Sequence, residues 1–467
     1  MGKYYLAIDM GASSGRHILA HMENGKIVLE EIWRFENGMK QKNGHLCWDI
    51  DSLFKNIVLG LKKCKEIGKI PSSMGIDTWA VDFVLLDQQR NLLTDPVGYR
   101  DSRTEGMDAK VYELISPEEL YARTGIQKQM FNTIYQLMAI KCENPEALDK
   151  ADVMLMLPEY FNFKLTGKIV ADYTNASSTN LLDAEKKNWD FDLIEKLGYP
   201  KKVFQEIHMP GCSVGHFLPE IQEEVGFDCE VVLPATHDTG SAVVSVPSTS
   251  DDTLYISSGT WSLMGVERMT PDCRPVSQKA NFTNEGGYEG RYRYLKNIMG
   301  LWMIQSVRHE LKDAYSFAQL CDMAAKNTDF PSRVDVNDQS FLAPENMTQA
   351  IKDYCENSGQ KVPESVGELA AVIYQSLAES YRDTVKEIES LTGKTYDAIN
   401  IVGGGSNADY LNQLTATASG KTVYAGPGEA TAIGNILVQM LKDGTFASLA
   451  QARQCVFDSF GVKTFQP

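Results

Sequence analysis

Short apolar runs broken by small polar residues open the chain. Leu6-Ala7-Ile8 leads to a single acid, Asp9, and then to Gly11-Ala12-Ser13-Ser14-Gly15-Arg16. The run predicts a buried strand, and the small residues predict a tight turn with exposed amides. Arg16-His17-Ile18-Leu19-Ala20 and Lys26-Ile27-Val28-Leu29-Glu30 predict two further strands turned through Asn24-Gly25. Strand, turn, strand is a hairpin. A Walker loop or dinucleotide fold would need strand, turn, helix, and neither GxxxxGK[ST] nor GxGxxG is present.

The same order returns at Thr253-Leu254-Tyr255-Ile256-Ser257-Ser258-Gly259-Thr260-Trp261-Ser262-Leu263-Met264-Gly265. A third turn, Gly403-Gly404-Gly405-Ser406, follows the apolar Ile401-Val402 and precedes a helical stretch from Asp409 to Ser419. Two hairpins and one strand-to-helix turn predict an internally duplicated α/β chain with a cleft between its halves. The polar, turn-rich Val246-Pro247-Ser248-Thr249-Ser250-Asp251-Asp252 sets the boundary, giving domains 1–245 and 246–467. Residues 104–200 read as mainly helical. Leu369, Ile373, Leu377, Tyr381 and Val385 share one face of a long helix over about 366–392, introduced by Pro363-Glu364-Ser365.

A length of 467 residues agrees with two domains. The formal charge of −17 argues against a nucleic-acid or anionic-membrane partner. It leaves room for a nucleotide, held locally by amides, Arg and a metal ion. No apolar run reaches spanning length, and the start leaves no room for a signal peptide, so a cytoplasmic protein is expected. The nine cysteines include no CxxC and no Cys/His cluster, which fits reduced thiols.

Small-residue turns can hold phosphate, because their amides point outward and no bulky side chain keeps the anion away. Arg16 could add a fork of donors, and Asp9 could orient the water shell of Mg²⁺. A structural hairpin with a satisfied acid is the other reading. In Pro234-Ala235-Thr236-His237-Asp238-Thr239-Gly240-Ser241-Ala242, Asp238 stands at a strand-to-helix junction. It could accept a hydroxyl proton during phosphoryl transfer, or it could cap the helix. His237 has no companion ligands at metal-binding spacing. Trp79 with Asp77 and Asp82, in Gly75-Ile76-Asp77-Thr78-Trp79-Ala80-Val81-Asp82-Phe83, could stack on and hydrogen-bond a sugar. Core packing accounts for Trp79 equally well. Tyr99-Arg100-Asp101-Ser102-Arg103 reads either as a functional charge cluster or as a solvated ion-pair loop.

Together these residues resemble the FGGY carbohydrate kinases of the actin-like ATPase-domain superfamily, over essentially the whole chain. One signature runs from Leu157 to Gly167 and on to Asp172, Thr174 and Ser177. The second runs from Gly405-Ser406 through Asn412-Gln413-Leu414 to Gly420, Val423, Pro427 and Glu429-Ala430-Thr431-Ala432-Ile433-Gly434. Trp48-Asp49, Thr283-Asn284-Glu285-Gly286-Gly287 and Leu295 to Trp302 extend the likeness. The resemblance implies two actin-like, ribonuclease H-like domains with mixed sheets flanked by helices, and an active site in the interdomain cleft. It also implies ATP, Mg²⁺ and phosphate transfer to the 1-hydroxyl of a ketose, L-rhamnulose first. Asp238 would be the base. His237, Asp238, Thr239 and Asn297 would touch the sugar. Ala12, Ser13, Ser14, Gly15, Arg16, Thr260, Gln305, Gly403, Gly404 and Gly405 would hold nucleotide.

At Ala80 the pattern departs, since the family members most like this chain carry a glycine there that faces the sugar. The methyl could reshape the pocket. L-Fuculose or L-xylulose is therefore an alternative acceptor, and a regulator that keeps the fold without catalysis is a reading of another class. A monomer or a homodimer is expected.

Overall fold

The computed structural model describes residues 2–250, 252–342 and 344–467; Asp251, within the expected boundary stretch, lies outside the described residues. The chain forms two compact units. The first holds residues 1–245, 268–294 and 431–459, and the second holds 246–267, 295–430 and 460–467. The first change of unit falls after Ser245, and two later segments rejoin the first unit, so the units are not two continuous halves.

In the first unit, β1 (Tyr4–Met10), β2 (Ser14–Glu23), β3 (Lys26–Glu36), β4 (Pro71–Thr78), β5 (Ser213–His216) and β6 (Glu230–Val232) form one mixed sheet in the order β5-β6-β4-β1-β2-β3. β2 and β3 turn through Asn24 and Gly25, both at positive φ (50° and 79°). That is the Asn-Gly two-residue hairpin geometry that matches strand twist. β1 runs antiparallel to β2 and parallel to β4, so Asp9 stands opposite Arg16 on one side and Asp77 on the other. Leu6, Ile8, Met74, Ile76 and Val231 carry the sheet into an apolar core with Leu53, Ile57 and Leu61 of the helix Ile50–Glu66. A second core gathers the helices between 107 and 196 around Ile134, Leu137 and Leu193.

In the second sheet, β7 (Leu254–Ser258), β8 (Trp261–Arg268), β9 (Tyr292–Met299), β10 (Ala398–Val402), β11 (Thr422–Ala425) and β12 (Lys463–Phe465) follow the order β9-β8-β7-β10-β11-β12, with the strand Thr283–Gly286 at the edge beside β9. The long helix is Val366–Thr392. Ser365 accepts from Glu368 N, the Glu368 carboxylate reaches back to Ser365 N at 3.0 Å, and Gly393 closes the far end at φ 68°. This is a capping box followed by a left-handed C-terminal glycine. Among the described residues, no helix is long and apolar enough to cross a membrane.

Candidate active site

The turn that carries Asp238 is held from beneath. Thr78 N at the end of β4 donates to Thr236 O (2.9 Å), which aligns the turn beside Asp77. Asp172 Oδ2 accepts from Thr236 N (3.2 Å), Thr236 Oγ1 (2.8 Å), Asn175 N (3.0 Å) and Thr174 Oγ1. Thr174 Oγ1 in turn accepts from His237 N (3.3 Å). Glu159 accepts from Asp172 N (2.7 Å), and Ser177 Oγ accepts from Gly286 N (2.7 Å). The Leu157–Ser177 signature is thus a scaffold beneath two loops. Burial raises its carboxyls, Glu159 to about 8 and Asp172 to about 6.

Asp238 opens the helix Asp238–Val244, whose N-cap is His237. Asp238 is therefore the first helical residue, one place after the N-cap position. Its Oδ1 accepts from the adjacent Thr239 N at 2.6 Å, and its side chain keeps 28% exposure. Burial, then the negative charge of Asp9, push this carboxyl up to about 7. Such a group changes protonation near neutrality, where a general base is most effective. Asp77 is buried completely, and burial followed by Asp9 holds it well above the usual carboxylate range. Asn435 Nδ2 donates to Asp77 Oδ2 at 2.6 Å, while Oδ1 has no hydrogen-bond partner among the described residues. Arg16 Nη2 reaches Asp9 Oδ2 at 2.7 Å.

The first turn closes tightly, with Gly11 N donating to Ser14 O at 2.9 Å, so Ala12 and Ser13 form its tip and Ser14 already begins β2. A Cβ at Gly15 would lie 2.1 Å from the Phe35 ring, so packing alone requires that glycine. In the second unit, Gly403 (φ 84°) and Gly405 let their turn settle on Ser258; a Cβ at Gly405 would stand 1.9 Å from Ser258 Oγ. Gly404 is open on its outer side. Leu301 N and Trp302 N donate to Gly259 O (3.2 Å) and Thr260 O (3.0 Å), and Thr260 Oγ1 donates to Gln305 Oε1 at 3.2 Å. Beside them a cavity of about 560 Å³ is lined by Leu301, Ile304, Gln305, Phe317, Tyr374 and Gly404 among others. Thr260, Gln305 and the Gly403–Gly405 turn thus come together within this unit. Asn297 lies on β9, also in the second unit.

Trp79 and Asp82 are buried. Asp82 Oδ2 accepts from Trp48 Nε1 (2.7 Å), Trp79 Nε1 (2.9 Å) and Tyr99 N (3.1 Å), and its Oδ1 accepts from Gln136 Nε2 (3.0 Å). The Trp79 ring lies 4.0 Å from that of Trp48, centroid to centroid. Both side chains are committed to protein neighbours, and Ala80 between them in sequence is half-buried. Val81 follows at φ 68°, a left-handed conformation that costs a β-branched residue about 1–3 kcal/mol. Thr133 Oγ1 (2.7 Å) and Gln136 Nε2 (3.2 Å) hold its carbonyl there. Strain of this kind collects at ligand sites.

One fully buried residue had no signal in the sequence. Arg293, on β9 in the part counted with the first unit, reaches His237, Thr239 and Glu285. Two of its partners, His237 and Thr239, are distant in sequence, which hides it from motif reading.

Comparison with known proteins decides the family. Residues 4–245 match the N-terminal domain model of the FGGY family of carbohydrate kinases, and residues 254–442 match its C-terminal domain model. The chain belongs to the FGGY carbohydrate kinases. Among curated FGGY relatives, proteins named rhamnulokinase from Halalkalibacterium halodurans and Bacillus subtilis are 54% and 45% identical. Each alignment covers 99% of this chain, with 98% and 95% of the relative. Of solved structures, a gluconate kinase from Lactobacillus acidophilus superposes with a TM-score of 0.80 at 19% identity, covering 100% of this chain and 94% of that one. A xylulose kinase from the same organism also gives 0.80, at 18% identity and the same coverage. These two show the FGGY fold, with its actin-like mixed α/β domains.

Proposed function

We propose that this carbohydrate kinase transfers the γ-phosphate of ATP to the 1-hydroxyl of L-rhamnulose, with Asp238 as general base. The observation that carries the substrate is the 54% identity to a protein named rhamnulokinase over nearly the full length of both chains. The reading of Asp238 is supported by a partly exposed carboxyl at about 7 that stands at the first residue of its helix, not at the N-cap position. The hydroxyl proton passes to the Asp238 carboxylate as the sugar oxygen bonds to phosphorus, and the bond to the ADP oxygen breaks. His237, Thr239 and Asn297 bind the sugar, and Ala80 forms part of its floor before Trp79 and Asp82. Ala12, Ser13, Ser14, Gly15 and Arg16 take phosphate in the first unit; Thr260, Gln305 and Gly403–Gly405 take nucleotide in the second.

The carboxylates suit Mg²⁺, which keeps most of its waters and uses few protein ligands. Asp77 Oδ1 is a buried oxygen without a hydrogen-bond partner among the described residues, paired in register with Asp9. Among the described residues no group of three or more His, Cys, Asp or Glu is arranged to cage an ion directly. Asp9, acting through water, would hold Mg²⁺, and the ion would neutralise charge on the transferring phosphates. The nine free cysteines suit work in the cytoplasm.

Ala80 supports one competing acceptor class, another ketose such as L-fuculose or L-xylulose. ADP release measured over a panel of ketoses tests the proposal. L-Rhamnulose should give the highest kcat/KM, and a higher value for another ketose would replace it as substrate.

A further inference from the structure

The guanidinium of Arg293 is entirely enclosed, with a side-chain exposure of 0%. A buried cation needs every donor placed, and here the placement carries information. Nε donates to Gly286 O at 2.9 Å, Nη1 donates to Thr239 Oγ1 at 2.8 Å, and Nη2 stands 3.0 Å from both His237 Nδ1 and Glu285 Oε2. Gly287 and Gly240 pack beside this side chain, where a Cβ would make ordinary contact with it at 3.4 and 3.7 Å.

Arginine has donors only and does not lose its proton in a protein. With Arg293 Nη2 at 3.0 Å and the Glu285 carboxylate farther from the ring at 3.5 Å, His237 Nδ1 accepts from the guanidinium, which places the ring proton on Nε2. That nitrogen is 3.0 Å from Thr239 Oγ1, to which it donates. Thr239 Oγ1 then receives two hydrogen bonds, from Arg293 and from His237, and both its acceptor sites are filled. Its own O–H remains, on a side chain that is partly exposed. Asp238 Oδ1 lies 3.6 Å from the same His237 Nε2, so the Asp238 carboxylate and the Thr239 hydroxyl flank one ring nitrogen.

We propose that Arg293 is a positioning residue that locks His237 as the neutral Nε2–H tautomer and makes Thr239 a donor only, so that the acceptor substrate must offer a lone pair to Thr239 beside the hydroxyl it gives to Asp238. The ligand class is a sugar with oxygens on two adjacent carbons, one the reacting hydroxyl and the other an acceptor. This rests on the reading of residues 237–239 as the sugar site. Burial and the Arg293 charge both hold the His237 imidazolium form well below its usual range, in line with a neutral ring. Glu285, from the Thr283–Gly287 motif, is the counter-ion that keeps the guanidinium in place.

The test uses ¹⁵N-histidine-labelled full-length protein, with the His237 signals assigned by their loss in His237→Gln. Nδ1 should resonate as an unprotonated nitrogen and Nε2 as a protonated one from pH 6 to 8. A protonated Nδ1, or a ring that titrates in that range, would overturn the proposal without any assay of activity. Arg293→Lys keeps charge but cannot reach three partners, so His237 should populate both tautomers and kcat/KM for the ketose should fall at least tenfold, with KM for ATP unchanged. Thr239→Ser should keep most activity, and Thr239→Val should lose as much as Arg293→Lys. The double variant Arg293→Lys/Thr239→Val should lose little more than either single change. Multiplying losses with an unaltered tautomer would mark Arg293 as merely structural. If the tautomer is as stated but no ketose is phosphorylated, the lock of Arg293 on His237 stands and the ketose reading alone falls.

Discussion

The surroundings of Asp238 in the first unit and the cavity beside Thr260 in the second are built on opposite principles. Around Asp238 the working parts are charged side chains, each tied to named partners: Arg16 to Asp9, Asn435 to Asp77, Arg293 to His237 and Thr239. Around Thr260 they are backbone turns closed by glycines on Ser258, facing a wall of Leu301, Ile304, Phe317 and Tyr374. Proton transfer requires defined protonation states, and those depend on fixed charges at short range. Holding a nucleotide requires shape and amide donors, which depend on backbone course. Substitutions in the first region should therefore act on kcat and its pH dependence. Those in the second should act on the KM for nucleotide.

The sharpest break of this contrast is Asp238→Asn. Turnover should fall at least a hundredfold, since a general base contributes about 10²–10⁴ in rate, while ATP binding is kept. In the parent, kcat/KM should rise with pH through about 7, because the base must be ionised. Stability should run the other way. A carboxyl raised in the folded state contributes stability that is fully present below its unfolded value, near 4, and is lost as pH rises through about 7. At pH 8 the Asn variant should therefore melt no lower than the parent and a few degrees higher, with the gap closing toward pH 4. Melting curves at the two pH values check this. Near-normal turnover would remove Asp238 from the proton path.

Gly405→Ala should produce the next largest effect, on the other side of the comparison. The new methyl meets Ser258 Oγ at 1.9 Å and its Cβ at 2.5 Å, so the turn must lift. The KM for ATP should rise at least tenfold with much less change in kcat. Adding Ser258→Gly removes the obstructing atoms and should recover part of the loss. A fall in kcat with unchanged nucleotide KM would erase the proposed division between the regions.

How much of this could be read from the chain follows from how local each cause is. The Asn24-Gly25 hairpin and the Ser365–Gly393 helix rest on neighbouring residues, and both stand where the pattern places them. The glycines of the turns were legible as turns but not as to purpose. Gly15 yields to Phe35, and Gly403 and Gly405 yield to Ser258, contacts between residues far apart in sequence. Sequence likewise left Asp238 between base and cap, and helix geometry puts His237 at the N-cap position and Asp238 at the first helical residue. Arg293 was invisible because its meaning lies in partners more than fifty residues away. Val81 gave no signal at all, since valine is among the least suited residues for positive φ.

Ala80 supplies the smallest and most selective test, because it belongs to the first region yet carries no charge. It is half-buried between Trp79, packed on Trp48, and Val81, held at φ 68° by two side-chain donors. Glycine at this position removes one methyl and frees the backbone. The first change should alter discrimination among ketoses by roughly 1–3 kcal/mol, about tenfold to two hundredfold in relative kcat/KM. The second should lower stability by about 0.4–1 kcal/mol through the unfolded chain. KM for ATP should stay within about twofold, which separates this substitution from Gly405→Ala. The ratio of kcat/KM values for L-rhamnulose and L-xylulose, measured in parent and variant, reads the effect directly. A change in that ratio places the methyl against the sugar. An equal loss on every ketose, matched by a lower melting temperature, would instead make Ala80 a spacer that keeps Trp79 and Val81 in place.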